Sequence, residues 1–100
     1  MRVYISGAMS SRMNTYKEDF ALCERVLKAQ GHIVINPANL PTGLEQSKYM
    51  PICLSMIDGA DAIYMMEGWE QSRGACLEKA YAEYQGKDVM YEWQEDQKSK

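Results

Sequence analysis

The stretch Gly68–Ala80, GWEQSRGACLEKA, gathers residue types that can do chemistry. Ser72 suits the first position of a helix, where its side-chain oxygen can accept from a backbone N–H two or three residues on. The N–H groups of Arg73, Gly74 and Ala75 would then point outward unpaired, and a helix end of this kind attracts an anion. Arg73 adds a planar fork of donors that matches phosphate or carboxylate. Glu78 follows one turn later. Gly74 and Ala75, its neighbours one turn back, have no bulk, so space can open over the carboxylate, about 6–9 Å from the anion site by the helical rise. A carboxylate so placed can face a sugar carbon and attack it. The product is a glycosyl ester that water or another acceptor resolves.

Each of these residues also has a plainer role. Most glutamates are solvated, and a capping serine needs no ligand to justify it. Trp69 can wall a pocket and stack on a base, or cover one end of the core. A second polar loop, SGAMSSR at residues 6–12, offers Gly7 for close backbone approach and Ser10, Ser11 and Arg12 as phosphate donors. It matches neither a dinucleotide-binding nor a Walker glycine pattern. Tyr4, just upstream, is either a core residue or one whose hydroxyl reaches a site.

Both loops need elements to hold them. RVYIS at residues 2–6 is rich in β-branched and aromatic residues and predicts a strand that stops at Gly7. From Thr15 to Gln30, the spacing of Tyr16, Phe20, Cys23, Val26 and Leu27 predicts a helix, with Gly31 as its stop. HIVIN, at residues 32–36, predicts a second strand, and the segment from Ala38 to Ser47 is irregular. Met50, Ile52, Leu54, Met56 and Ile57 suggest an apolar helix with Pro51 in its first turn. DAIYMM, at residues 61–66, reads as a third strand buried on both faces. Arg73 to Gln85 reads as a helix with Leu77, Ala80, Tyr81 and Tyr84 as its core stripe and Glu78 at the stripe's edge. KDVMYE, at residues 87–92, is a fourth strand. Strands alternating with helices predict a parallel sheet with right-handed crossovers. Ligands of such sheets sit at the carboxyl ends of the strands, where both loops fall.

The bulk numbers set limits. One hundred residues suffice for one domain, expected over residues 1–92 with a polar tail at 93–100. The net charge of −3 and the lack of a Lys/Arg cluster argue against a nucleic-acid polymer as partner. A mononucleotide remains compatible. Three widely spaced cysteines fit reduced thiols better than a disulfide framework or a zinc site. No leader-like segment or run of 18 apolar residues occurs, so the expectation is a cytoplasmic protein with no membrane contact. Nothing in the sequence asks for a cofactor or a metal.

YISGAM near the start, DGADAIYMMEGWEQSRGACLEKAYA in the middle and the closing GKDV resemble the short bacterial and phage proteins grouped with the nucleoside 2-deoxyribosyltransferases. The resemblance covers nearly the whole chain. It implies a small Rossmann-like or flavodoxin-like α/β three-layer sandwich with a parallel sheet of four to five strands. It implies cleavage of the N-glycosidic bond of a 2′-deoxynucleoside or its 5′-monophosphate. The S-x-G-x-x-x-E arrangement matches Ser72, Gly74 and Glu78, which implies Glu78 as nucleophile and Ser72 as a phosphate or sugar contact. Tyr4 matches a first-strand tyrosine that orients nucleophile or substrate, and Gly7 with its loop would line the phosphate end. A homodimer or larger homo-oligomer is also implied. The nucleotide-cleaving members carry an aspartate on the helix before the third strand. That place falls at or near Cys53, and no carboxylate stands there. The other readings are a non-catalytic module that senses or sequesters a nucleotide, and an assembly protein using Trp69 and exposed aromatics.

Overall fold

A computed structural model describes residues 1–9 and 15–92, apart from the side chain of Gln46. Ser10, Arg12 and the expected tail at 93–100 lie outside the described residues. The elements run β1 (Arg2–Ser6), α1 (Tyr16–Ala29), β2 (Ile33–Ile35), α2 (Gln46–Asp58), β3 (Ala62–Met65), α3 (Arg73–Tyr84) and β4 (Asp88–Tyr91). Short 3-10 turns at Pro37–Asn39 and Trp69–Gln71 follow β2 and β3. The four strands form one parallel sheet in the order β2-β1-β3-β4. This is the α/β sandwich expected of a Rossmann-like or flavodoxin-like fold.

Strand alternation builds the three layers. Val3 and Ile5 of β1 pack with Phe20, Cys23 and Leu27 of α1 on one face of the sheet. Tyr4, one position out of phase, packs with Cys53 and Ile57 of α2 and with Ala75 and Ala82 of α3 on the other. Both β1 and β3 are buried on both faces, which is why their sequences are continuous apolar runs. Gly31 and Gly86 end α1 and α3 at φ of +93° and +76°, a region open to glycine at no steric cost.

Three local expectations change. Val26, placed in the α1 stripe by its spacing, is 45% exposed. Pro51 lies inside α2 rather than in its first turn. The carbonyl that loses its N–H partner belongs to Ser47, an exposed residue where water can replace the bond. The third change bears on function. The buried face of α3 is Ala75, Glu78 and Ala82, while Leu77 and Tyr84 are 50% and 88% exposed. The helix turns small residues inward and so approaches the sheet closely. Glu78 therefore stands at the middle of the buried face, not at the edge of an apolar stripe.

Candidate active site

The strand order places a topological switch between β1 and β3. The chain leaves β1 toward β2 on one side and leaves β3 toward β4 on the other, so a crevice opens at their carboxyl ends. A cavity of about 720 Å³ occupies this crevice. Residues after β1, after β2 and from the start of α3 line it, and Tyr4 and Glu78 contribute to its surface.

Glu78 is 6% exposed. A buried carboxylate requires hydrogen bonds to offset lost hydration, and β1 supplies them. The Tyr4 hydroxyl donates to Oε2 at 3.1 Å, and the Ser6 hydroxyl donates to Oε1 at 2.7 Å. Tyr4 and Ser6 sit two apart on one strand, so both side chains leave the same face. The thiol of Cys53 lies against Tyr4, Tyr49 and Glu78, close enough to influence the ionisation of each. Burial raises the Glu78 carboxyl above its ordinary value, and the bonds from Ser6, Tyr4 and Cys53 pull it partly back. Burial likewise raises Tyr4 and pushes the Cys53 thiol up to about 11. At neutral pH both remain protonated, so the carboxylate is held by neutral donors and has no cation beside it among the described residues.

Ser72 caps α3, its Oγ accepting from the N–H of Ala75 at 3.1 Å. One of the three N–H groups expected to be free is thus engaged. Those of Arg73 and Gly74 have no partner among the described residues. Ser72→Ala should cost about 1 kcal/mol and lower Tm by about 4–8 °C, read by thermal denaturation.

Ser72, Arg73 and Gly74 all line the cavity, as does Gly7. Gly7 also meets a packing demand: a Cβ there would lie 2.8 Å from the sulfur of Met66. Trp69 is not among the lining residues. Its ring packs on Tyr91 at a centroid distance of 6.2 Å, with the Lys79 ammonium 5.4 Å from the ring centre. Its place is at the end of the sheet and not on the cavity wall. Sequence reasoning missed Ser6 and Tyr49. Ser6 carries a legible signal, a small polar side chain in phase with Tyr4 at the carboxyl end of the same strand. Tyr49 is one turn before Cys53 and lines the cavity from α2.

An α/β sandwich with a buried glutamate at its switch point frames the comparison with known structures. The fold is that of a 2-deoxyribosyltransferase. The chain superposes on a 2-desoxiribosyltransferase from Leishmania mexicana with a TM-score of 0.72 over 90% of its length, at 17% identity. It spans 62% of that protein. Residues 1–91 match the family described as Domain of unknown function (DUF4406), and the chain belongs to that family. It matches no curated protein. No helix among the described residues is long and apolar enough to cross a membrane.

Proposed function

We propose that the protein is an N-glycosidase of the 2-deoxyribosyltransferase type, acting on a deoxynucleoside or a deoxynucleoside 5′-monophosphate. The observation that carries this reading is Glu78, buried at a cavity wall and held through both oxygens by Tyr4 and Ser6. Positioned in this way, one carboxylate oxygen attacks C1′ as the C1′–N bond breaks. The bond's electron pair leaves with the base, which is then protonated. Water, or a second base, resolves the ester and frees the carboxylate. Ser72 can donate its hydroxyl proton to the sugar or phosphate while it caps α3, because a hydroxyl both accepts and donates. Arg73 and the α3 N-terminus favour an anionic group at the same end. A homodimer or larger assembly belongs to the same proposal, and its mass in solution tests that part.

The test is incubation with a panel of deoxynucleosides and their 5′-monophosphates, with free base resolved by chromatography. Base released by the wild-type protein and not by Glu78→Gln supports the reading. Ligand-induced thermal stabilisation without release favours the second reading, a nucleotide-binding module. The observation favouring that alternative is Cys53, a neutral thiol beside the nucleophile on α2, where the resemblance implies a carboxylate.

The pH profile gives a sharper check. Glu78 attacks only when ionised, so the rate rises with pH through its raised pKa. Ser6 lowers that pKa by bonding to the charged form. In Ser6→Ala the acid limb of kcat/KM should therefore move to higher pH, with the larger loss of rate on the acid side. An unmoved limb would remove Ser6 from the catalytic account.

A further inference from the structure

The cavity is chemically uneven along the sheet. Glu78 is bonded to β1, the strand between β2 and β3. On the β3 side stand Ser72, Arg73 and Gly74 at the tip of α3. Toward β2, the wall is apolar and aromatic, with Leu40, Pro41, Leu44 and Tyr49. Tyr49 is tied to this side by its hydroxyl, which reaches Met9 just beyond β1 and Pro37 just beyond β2.

A sugar with C1′ over Glu78 must send its two substituents in different directions. The polar end suits the 5′-hydroxyl or phosphate. The apolar wall suits a planar base. Tyr49 is then the hydroxyl at the base end. Its present partners are poor. It donates to the Met9 thioether sulfur at 2.9 Å, a weak acceptor, lies 3.4 Å from the Pro37 carbonyl and has the Cys53 thiol, another weak acceptor, beside it. Burial keeps it protonated, so it is a standing donor that a ring nitrogen or exocyclic oxygen could recruit at little cost.

We propose that Tyr49 contacts the leaving base and stabilises it as the glycosidic bond breaks, an inference that rests on the glycosidase reading above. The electron pair of the C1′–N bond collects on the base, and the hydroxyl donates to an acceptor atom where that charge accumulates. The proton that completes the neutral base comes from solvent. Tyr49 need not ionise.

The experiment compares wild type with Tyr49→Phe, which keeps the ring and its packing, on two substrates of the same shape. One is 2′-deoxyguanosine or its 5′-monophosphate. The other is the N7-methylated counterpart, whose base leaves as a neutral molecule, with its spontaneous decay subtracted. On the unmodified substrate kcat should fall about 10²-fold, the scale for losing one donor to developing charge, with KM changed by less than about threefold. On the methylated substrate the two proteins should agree within about threefold. Equal losses on both substrates, or no loss on either, overturn the assignment. If the wild type releases base from neither of these nor from any other member of the panel above, the glycosidase reading itself fails and this inference falls with it. That outcome is visible without any variant.

Discussion

Glu78→Gln is expected to abolish base release while making the protein more stable at neutral pH. The loss of turnover should be about 10³-fold or more, because an amide cannot form the ester and no other carboxylate of the described residues lines the cavity. The gain in stability follows from the direction of the Glu78 shift. Its folded pKa is raised by burial. Between the ordinary carboxylate value and that raised value, the native state binds more protons than the unfolded chain, so stability falls as pH rises through this window. Above it, the whole penalty of burying the charge remains. Glutamine carries no charge at any pH. Its Oε1 can accept from one hydroxyl, and its Nε2 can donate to the oxygen of the other. At pH 7.5 the variant should gain about 1 kcal/mol, within the range common for single stabilising substitutions, or about 4–8 °C in Tm. Near pH 4, close to the usual carboxylate pKa, the two melting curves should converge. A variant less stable than wild type at pH 7.5 would make Glu78 a structural anchor and weaken the nucleophile assignment.

Gly7→Ala should destabilise the fold by about 1–3 kcal/mol, the range for overpacking a core. The added Cβ would lie 2.8 Å from Met66 Sδ, 3.0 Å from its Cβ and 3.2 Å from its Cγ. Met66 is 2% exposed and packs with Val3 and Ile5, so it cannot swing away. The strain must instead move the end of β1, where the adjacent Ser6 donates to Glu78. Activity should fall with stability for this reason. In a Met66→Ala background the same substitution should cost less, and equilibrium denaturation of the four proteins gives the coupling directly. Additive effects would show that the clash is absorbed elsewhere. Gly74 presents a contrast, since a Cβ there would meet the mobile end of Met50 at 3.4 Å.

Much of the architecture was legible because it depends on local pattern. The apolar runs of β1 and β3, the spacing of Phe20, Cys23 and Leu27, and the stops at Gly31 and Gly86 all gave the right elements, and their alternation gave the parallel sheet. The orientation of α3 was not legible. Leu77, Ala80, Tyr81 and Tyr84 form the more hydrophobic stripe, and periodicity alone favours burying it. The fold instead buries Ala75 and Ala82, which permit close approach, and a glutamate whose cost is met by hydroxyls more than seventy positions away. No window along the chain contains that information. The same limit hid Tyr49, whose place on the cavity wall is set by contacts to Met9 and Pro37. Tyr4 and Glu78 were singled out from the family resemblance and from the small residues before Glu78, and they meet in the cavity. Trp69 was singled out by type alone, and it stands elsewhere.

The strand that holds the glutamate is hydrogen-bonded on both sides, to β2 through Arg2–Tyr4 and to β3 through Val3–Ser6. Amides in such a strand exchange with solvent only when the whole sheet opens, whereas an exposed connection exchanges through small local openings. Pro41, Thr42, Gly43 and Leu44, on the far wall of the cavity, belong to an exposed connection of this second kind. The cavity thus joins a rigid half to a yielding half. Deuterium uptake should be slow at Tyr4 and Ile5 and much faster across residues 42–44. A bound ligand should slow the second group by many times more than the first. Changes that retune what the cavity accepts can accordingly accumulate in residues 41–44 with little loss of fold stability, while the cradle of Glu78 remains as durable as the protein itself.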